Sequence, residues 1–225
     1  MTMLPVLAKR FRHFWMLIFA VMQIACAQKN AALEIPISNY SGKFVGLNLL
    51  GEVVDAKTWI DKGDSNVLLV TKVQEGNQCE KSYVNRLFAY HLIQTSGIWS
   101  KDWEIKDFGP GPCYKVRFQP GTIRVFDVDG VEPFETLFFY GIAQDGAEPA
   151  TLKMMFHWNG KKRPIRGLIP LTPDDREAYR MIPDTLLSAS PKVVKDFAEE
   201  YWNQYVAGKY GITDKGAQKN PPTPK

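Results

Sequence analysis

Apolar and polar side chains along residues 115–167 fall into short runs that are separated by turn residues. Residues 122–126, 136–140 and 152–158 have the alternation or the aromatic and β-branched composition that is typical of strands. Asp-Gly pairs and one Asn-Gly pair, Asn159-Gly160, follow these runs and indicate tight turns. Because such links are too short for parallel crossovers, we predict an antiparallel meander.

The chain before this stretch also favours extended structure. Residues 83–94 are ambiguous because they contain several good helix formers, but the turns on both sides favour a strand. Residues 161–163, which follow the Asn-Gly turn, are basic and are predicted to form a solvated hairpin tip. The other predicted strands cover residues 33–37, 43–47, 67–73, 99–108 and 114–118.

The pattern changes to a helical one after residue 167. Thr172-Pro173 followed by two acids predicts a short helix up to about residue 181. Ser190-Pro191 repeats this start signal, and apolar residues then recur at helical spacing as far as Ala207, with Gly208 as the expected stop. The amphipathic C-terminal helix needs an apolar surface, which the sheet provides.

These elements predict a mainly β (α+β) fold, in which an antiparallel β meander packs against a C-terminal amphipathic helix. We expect one β-rich domain over residues 28–211, because this length suits a single core. Residues 212–225 are polar and contain several prolines, and we expect them to be a disordered tail.

The first 27 residues have the pattern of a signal peptide. Basic residues at 9–13 precede an apolar run at 14–24, and Ala25-Cys26-Ala27 is a cleavage signal. We therefore expect an exported protein that is periplasmic, on the cell surface or secreted. Two alternatives remain open at this point: an uncleaved N-terminal anchor, and lipidation of Cys26 at a sequence that resembles the end of a lipobox.

Removal of the signal changes the interpretation of the charge. The formal net charge of +4 becomes +1, because residues 1–27 contain three basic and no acidic residues. The mature chain therefore gives no reason to expect a nucleic-acid partner. No later segment is apolar enough for a transmembrane span.

The acidic turn after residue 126 is a candidate cation site. Asp127, Asp129 and Glu135 occupy positions one, three and nine of a calcium-type loop. Val131 and Glu132 break the loop pattern at positions five and six, so ordinary solvated turn acids are the alternative. We predict no other cofactor. The same carboxylates are the only basis for a polysaccharide-acting enzyme, with one acid and one base or nucleophile.

Tryptophans provide a second candidate site. Trp59, Trp99 and Trp103 are predicted to form a platform on which sugar rings stack, and packing in the sheet core is the alternative. His91 and His157 lie in predicted strands, without the spacing of metal ligands. No nucleophile or phosphate-binding motif is present, which makes an enzyme the less favoured class.

Cys79 and Cys113 are the two cysteines that follow the signal. An oxidising compartment favours a disulfide between them, and two separate thiols are the alternative.

The order of several short motifs resembles a known family. The motifs are Trp59-x-Asp61 with Asn66-Val-Leu-Leu-Val70, then residues 88–91, 103–108, 126–130 and 165–167, with Cys113, Glu135 and Tyr140 between them. This order is similar to that of exported bacterial surface polysaccharide biosynthesis proteins, over roughly residues 59–167. The resemblance implies an envelope context and no particular reaction.

Together these observations favour a non-enzymatic, exported binding or assembly module. Its expected partner is envelope polysaccharide or another envelope protein. A cation-stabilised structural β domain and a carboxylate-dependent polysaccharide-acting enzyme remain as alternatives.

Overall fold

The first four strands form an antiparallel sheet. The computed structural model describes residues 44, 46–131, 133–144, 147–169 and 179–212, all of which belong to one compact unit, Glu34–Lys225. This sheet is a meander in the order β1-β2-β3-β4. Its strands are β1 (Glu52–Asp61), β2 (Asp64–Glu75), β3 (Val84–Thr95) and β4 (Ile98–Phe108).

A second antiparallel sheet contains the remaining seven described strands. Its main path runs β11-β10-β8-β7-β5, while β6 pairs with β7 and β9 pairs with β8. The strands are β5 (Tyr114–Phe118), β6 (Arg124–Phe126), β7 (Glu135–Gln144), β8 (Ala147–Trp158), β9 (Lys161–Lys162), β10 (Ile165–Leu168) and β11 (Arg180–Pro183).

Two-residue turns fix the register of the hairpins. The central residues of the β8–β9 turn, Asn159 and Gly160, have φ angles of 48° and 68°. Lys62-Gly63 between β1 and β2 has φ angles of 51° and 85°. Two consecutive positive φ values are the signature of the type I′ turn, whose twist matches that of the strands it joins.

The two sheets pack face to face around one apolar core. Leu68, Leu87 and Ile105 of the first sheet meet Phe138 and Met155 of the second. Every one of these side chains is buried. The core continues along the strands, and at one end of the sandwich its lining becomes polar.

A helical layer covers the other face of the second sheet. Helix α1 (Thr185–Ser188) is short, and helix α2 (Lys192–Tyr210) carries a buried stripe at every fourth position, Val194, Ala198, Trp202 and Val206. Trp202 is accommodated because Gly167 on β10 has no side chain: a Cβ there would lie 2.5 Å from Cζ2 of Trp202. Each fully buried large side chain of this kind contributes about 1.5–3 kcal/mol.

The outer face of the first sheet has its own apolar cluster. Phe88, Tyr90 and Leu92 of β3 pack there with Phe44 and with Trp99 of β4. The rings of Phe44 and Trp99 meet edge to face, 5.0 Å apart. Trp99 is therefore a packing residue on the face that points away from the second sheet.

The predicted fold class is confirmed: the structure is mainly β with antiparallel sheets and a C-terminal helix packed against them. The segment predicted as a strand at residues 83–94 is strand β3, Val84–Thr95. Within the described part of the chain, neither helix combines the length and the apolar character needed to cross a membrane. The predictions for residues 1–43 and 213–225 lie outside the described residues.

Several predicted boundaries are wrong. Helix α2 passes Gly208 and is capped by Gly211 in the left-handed conformation, because Tyr210 and Ile212 still pack against the core. Ile212 is buried and does not belong to a disordered tail. Residues 44 and 46–47 form turns and bends, so the predicted strand at 43–47 is absent from them.

The region around the predicted helix at 172–181 is also different. Arg180 and Met181 belong to strand β11, and residues 170–178 lie outside the described residues. Arg163 is not part of a solvated tip. Its side chain is buried, with the guanidinium carbon 4.5 Å from the centre of the Trp158 ring and a hydrogen bond to the carbonyl oxygen of Leu186.

The Sγ atoms of Cys79 and Cys113 are joined in the structure, and the two Cα atoms are 4.1 Å apart. The bond links the segment before β3 to the segment before β5, and Asn85 strengthens the same junction by accepting a hydrogen bond of 2.8 Å from the backbone N–H of Val116. The disulfide and this hydrogen bond thus join the two sheets near the first residues of β3.

Candidate functional site

A cleft of about 340 Å³ opens between the two sheets at one end of the sandwich. Strands β1 to β4 supply one wall, and the ends of β7 and β8 supply the other. Its volume is in the range of small-ligand sites. The lining side chains on which the chemistry depends are Trp59, Asp61, Asp64, Asn66, His91, Asp102, Trp103, Thr136 and His157.

Four aromatic rings form a continuous ladder along the cleft. Trp59 stacks on His91 with ring centres 5.2 Å apart and planes within 5° of parallel. His91 lies 5.4 Å from Trp103, and Trp103 stacks on His157 at 4.3 Å. The ladder therefore crosses from the first sheet to the second, and it fixes the spacing between the two walls.

A β-bulge in strand β4 creates this geometry. His91 pairs with Trp103, and the next residue, Leu92, pairs with Lys101, so Asp102 is an extra residue in the ladder of β4. A bulge reverses the alternation of faces along its strand. As a result Trp103 points inward while Trp99 points outward, and Asp102 is brought beside His91.

His91 is held at both ring nitrogens. Nδ1 lies 2.9 Å from Asp102 Oδ2, and Nε2 lies 3.0 Å from Asn66 Oδ1. The Asn66 amide is oriented by its own donation to the backbone carbonyl of Asp64. Burial lowers the pKa of His91, whereas the hydrogen bond to Asp102 and the charges of Asp102 and Asp61 oppose that shift. Both partner atoms are acceptors, so a neutral ring, with its single N–H, donates to only one of them, whereas a protonated ring donates to both.

His157 is the second imidazole of the cleft. Burial against the ladder, together with the neighbouring His91, lowers the pKa of His157 to about 4. The ring is therefore neutral near pH 7, where it presents one N–H donor and one acceptor. Such a ring suits recognition of hydroxyl groups better than proton transfer at neutral pH.

Two buried polar atoms in the cleft residues have no hydrogen-bond partner among the described residues: Nε1 of Trp59 and Oδ1 of Asp61. Trp59 and Asp61 are only 6% and 8% exposed, so bulk water does not compensate for the missing bonds. The other carboxylate oxygen of Asp61 accepts a bond of 2.9 Å from the N–H of Phe134, across the two sheets. Orphaned buried polar atoms are rare, and each calls for an explanation.

The predicted calcium site is not assembled. Within the described residues, no three His, Cys, Asp or Glu side chains come together in a way that could hold a metal ion. Asp129 instead accepts hydrogen bonds from the N–H of Val131 and from Nε1 of Trp158. Glu135 is buried and accepts a bond of 2.8 Å from the N–H of Val128. Asp129 and Glu135 therefore shape the turn through these hydrogen bonds.

Glu135 has a perturbed pKa for a structural reason. Burial raises the pKa of this carboxyl to about 7, against the hydrogen bond from Val128, and the nearby charges of Asp129 and Asp127 add to the increase. A single acid with a raised pKa outside a cleft does not define a catalytic site.

The predicted tryptophan platform is divided by the bulge. Trp59 and Trp103 line the cleft, and Trp99 lies on the opposite face of the same sheet. Trp59 is buried against His91, so Trp103, which is partly exposed, is the member that a ligand would meet first.

A second polar cluster bridges the sheets farther along β4. Asp107 Oδ2 accepts bonds of 2.6 Å from both the Tyr140 hydroxyl and Lys153 Nζ, and Oδ1 accepts from the N–H of Phe108. Burial acts to raise the pKa of Asp107, but these hydrogen bonds and the Lys153 charge outweigh it and hold that pKa below its usual value. Both oxygens of this carboxylate are satisfied.

A larger depression, of about 710 Å³, lies along the β1–β2–β3 surface near Gly51 and Lys72. It is shallow, and Lys72 is already hydrogen-bonded there to Gln74. It contains none of the described buried polar atoms that lack a partner. The smaller cleft is therefore the better candidate, because concavity, aromatic rings and unsatisfied polar atoms coincide in it.

Sequence reasoning missed most of the polar residues of this site. It named Asp61 and Asn66 only in the motifs that carry the family resemblance, and it placed His91 and His157 in predicted strands. One signal was available: Leu87, Ala89 and His91 alternate on one face of β3, so a histidine had to lie on the buried face. A polar residue at a core position is more informative than an apolar one.

No family model, curated protein or solved structure matches this chain. The functional argument therefore depends on the cleft itself.

Proposed function

We propose that this protein is an exported, non-enzymatic module of the cell envelope that binds surface polysaccharide in the cleft between its two sheets. The observation that carries the proposal is the coincidence of an aromatic ladder with two buried polar atoms, Trp59 Nε1 and Asp61 Oδ1, that have no hydrogen-bond partner in the described part of the chain.

Sugar hydroxyls fit this combination of groups. A hydroxyl both donates and accepts, so it can satisfy an indole N–H as well as a carboxylate oxygen. Aromatic rings such as that of Trp103 complement the apolar faces of sugar rings. His157 and Asn159 add neutral polar groups at the second wall. A site of this kind recognises a polyhydroxylated ligand by many short hydrogen bonds and by ring contact.

The groups of the cleft also favour binding over catalysis. The two ring nitrogens of His91 lie beside the side-chain oxygens of Asp102 and Asn66. The pKa of His157 is lowered to about 4. Ser and Cys are absent from the described lining residues. The acids that the sequence had suggested for hydrolysis, Asp127, Asp129 and Glu135, do not line this cleft, and Asp129 and Glu135 accept hydrogen bonds in the turn.

The test is a titration of the purified protein with a panel of oligosaccharides, followed by NMR of the tryptophan indole N–H resonances. The panel contains neutral hexose, N-acetylhexosamine, hexosamine and uronic acid oligomers. We expect saturable shifts of the Trp59 and Trp103 resonances. Trp202 is the internal reference, because its Nε1 donates a buried bond of 2.7 Å to the Tyr179 hydroxyl on the far side of the second sheet.

The panel also gives clear contrary outcomes. If no oligosaccharide shifts the Trp59 and Trp103 resonances, the proposal is wrong. If Trp202 shifts as much as Trp59, the sugars act on the whole fold and not on the cleft.

The envelope part of the proposal has a separate test. The intact mass of protein exported by a bacterial host distinguishes cleavage after Ala27 from an uncleaved chain and from lipidation of Cys26. Retention of the chain in the cytoplasm would contradict the export half of the proposal and leave the binding half standing.

A further inference from the structure

The charged residues that line the cleft indicate which kind of sugar it would bind. Three carboxylates line it, those of Asp61, Asp64 and Asp102, and Lys62 is the one lysine or arginine among the described lining residues. His157 is neutral near pH 7 because its pKa is lowered. Whether the ring of His91 is charged or neutral, the carboxylates outnumber the cations.

Asp61 is the most demanding of these carboxylates. It is 8% exposed, one of its oxygens has a single donor from the backbone, and the other has none among the described residues. A buried carboxylate oxygen is stabilised most by a charged donor, since such hydrogen bonds are roughly twice as strong as neutral ones. The ladder residue Trp103 lines the same cleft and supplies the aromatic surface.

We infer that the cleft selects amino sugars with a free, protonated amine over neutral and acidic sugars. This inference rests on the proposed function. The ammonium group pairs with Asp61, and the ring hydroxyls and the sugar face contact Trp59, His157 and Trp103. A uronic acid would place a further negative charge beside Asp61 and Asp64. It should therefore bind more weakly than a neutral sugar.

Lys162 is a further cation close to the second wall of the cleft. It pairs with His157 in the register of β8 and β9. Its exposed side chain does not line the cleft, however, and an exposed charge is screened by solvent and salt. The buried carboxylate therefore outweighs it.

The experiment compares three oligomers that differ in one ring substituent, an amine, a hydroxyl or an acetamide, with one acidic oligomer. Affinities are measured by calorimetry for a glucosamine tetramer, cellotetraose, the N-acetylglucosamine tetramer and tetragalacturonate. The measurements are made at about pH 6, where the sugar amine is protonated. We expect the glucosamine tetramer to bind about tenfold or more tightly than cellotetraose, and that ratio to fall as salt is raised.

The variant Asp61→Asn tests the named partner. It should reduce the preference for the amine to about threefold or less, while Asp127→Asn, an exposed turn acid outside the cleft, should leave the ratio unchanged. A preference that survives Asp61→Asn would contradict the assignment of the ammonium group to that carboxylate.

The outcomes separate this inference from the proposed function. Equal affinity for cellotetraose and the glucosamine tetramer, or tighter binding of tetragalacturonate, overturns the inference but retains a glycan site. Equal binding of a simple alkylamine overturns the assignment to a sugar. An absence of binding by all four tetramers removes the proposed function itself.

Discussion

Two carboxylates lie between the same two sheets and have opposite surroundings. Asp107 receives hydrogen bonds from Tyr140, Lys153 and a backbone N–H, so both of its oxygens are satisfied. Asp61 receives one bond from the N–H of Phe134, and its second oxygen is orphaned among the described residues. The first arrangement is what a structural bridge requires. The second leaves bonding capacity that a ligand can use.

Burial alone therefore does not distinguish a structural acid from one that can bind a ligand. Both residues are largely shielded, and both connect the sheets. What differs is the number of donors that the fold itself supplies. A charge that the fold satisfies stabilises the native state, whereas a charge that the fold leaves incomplete makes the unliganded protein less stable than it would otherwise be.

The largest effect should come from the satisfied carboxylate. Asp107→Asn leaves Lys153, whose side chain is only 14% exposed, without its ion-pair partner. Breaking such a pair should lower the free energy of unfolding by about 3–4 kcal/mol. Urea denaturation measures the loss, and the exposed Asp127→Asn is the matched control, with an expected change within about 0.5 kcal/mol. Equal effects of the two variants would show that the bridge is not structural.

The packing of helix α2 on the second sheet allows a second test, in which only side-chain packing changes the free energy of unfolding. An alanine at Gly167 would place a Cβ against the carbonyl oxygen of Arg180 and 2.5 Å from the Trp202 ring. We expect Gly167→Ala to cost about 2–3 kcal/mol, measured by thermal unfolding. Gly208→Ala, in the last turn of helix α2, meets no atom within 4 Å and should stabilise the protein by up to about 0.5 kcal/mol. Two changes of the same sign would contradict this description of the helix packing.

Glu135 is a buried acid that is satisfied only in part, and it gives a pH signature. Its pKa is raised from 4.5 to about 7 by burial, so the native state holds a proton that the unfolded state releases. Its contribution therefore makes the protein less stable as pH rises from about 4.5 to about 7.

Glu135→Gln keeps an acceptor for the N–H of Val128 and removes this proton. The free energy of unfolding of the variant, minus that of the wild type, should increase by about 2 kcal/mol between pH 5 and pH 8. Taking this difference cancels the opposite contribution of His157, whose lowered pKa favours the native state above about pH 6.5. A difference that does not vary with pH would mean that Glu135 titrates normally.

Removing the charge of Asp61 should change the stability of the protein much less than removing that of Asp107. Asp61→Asn retains an acceptor for the N–H of Phe134 and removes a buried charge that lacks a second donor. The free energy of unfolding without ligand should change by less than about 1 kcal/mol, in contrast to Asp107→Asn. A loss as large as that of Asp107→Asn would erase the distinction between the two carboxylates.

The strands of the second sheet and the C-terminal helix could be predicted from local patterns in the sequence. Alternation predicted the strands of the second sheet, and Asn159-Gly160 turned where its two residues permit positive φ. The spacing of Val194, Ala198, Trp202 and Val206 predicted a helix with one buried face. These features depend on neighbours a few residues apart, which is the range over which side-chain periodicity carries information.

The cleft was not accessible in the same way. The bulge at Asp102 reverses the faces of β4, and nothing in the local alternation of residues 99–108 indicates it. Asp61 became buried because its carboxylate meets the N–H of Phe134, 73 residues away. Of the three tryptophans of the predicted platform, Trp59 and Trp103 line the cleft, and the bulge turns Trp99 to the other side.

We propose that the inward-facing tryptophan of β4, Trp103, contacts the ligand and that the outward-facing one, Trp99, does not. The direct measurement is the affinity of Trp103→Ala and Trp99→Ala for the oligosaccharide of the panel that binds the wild type most tightly. Both side chains are partly exposed and lie on one strand, so the two truncations are matched. We predict a loss of about tenfold or more for Trp103→Ala and less than about threefold for Trp99→Ala. Equal losses, or a greater loss for Trp99→Ala, would contradict the account.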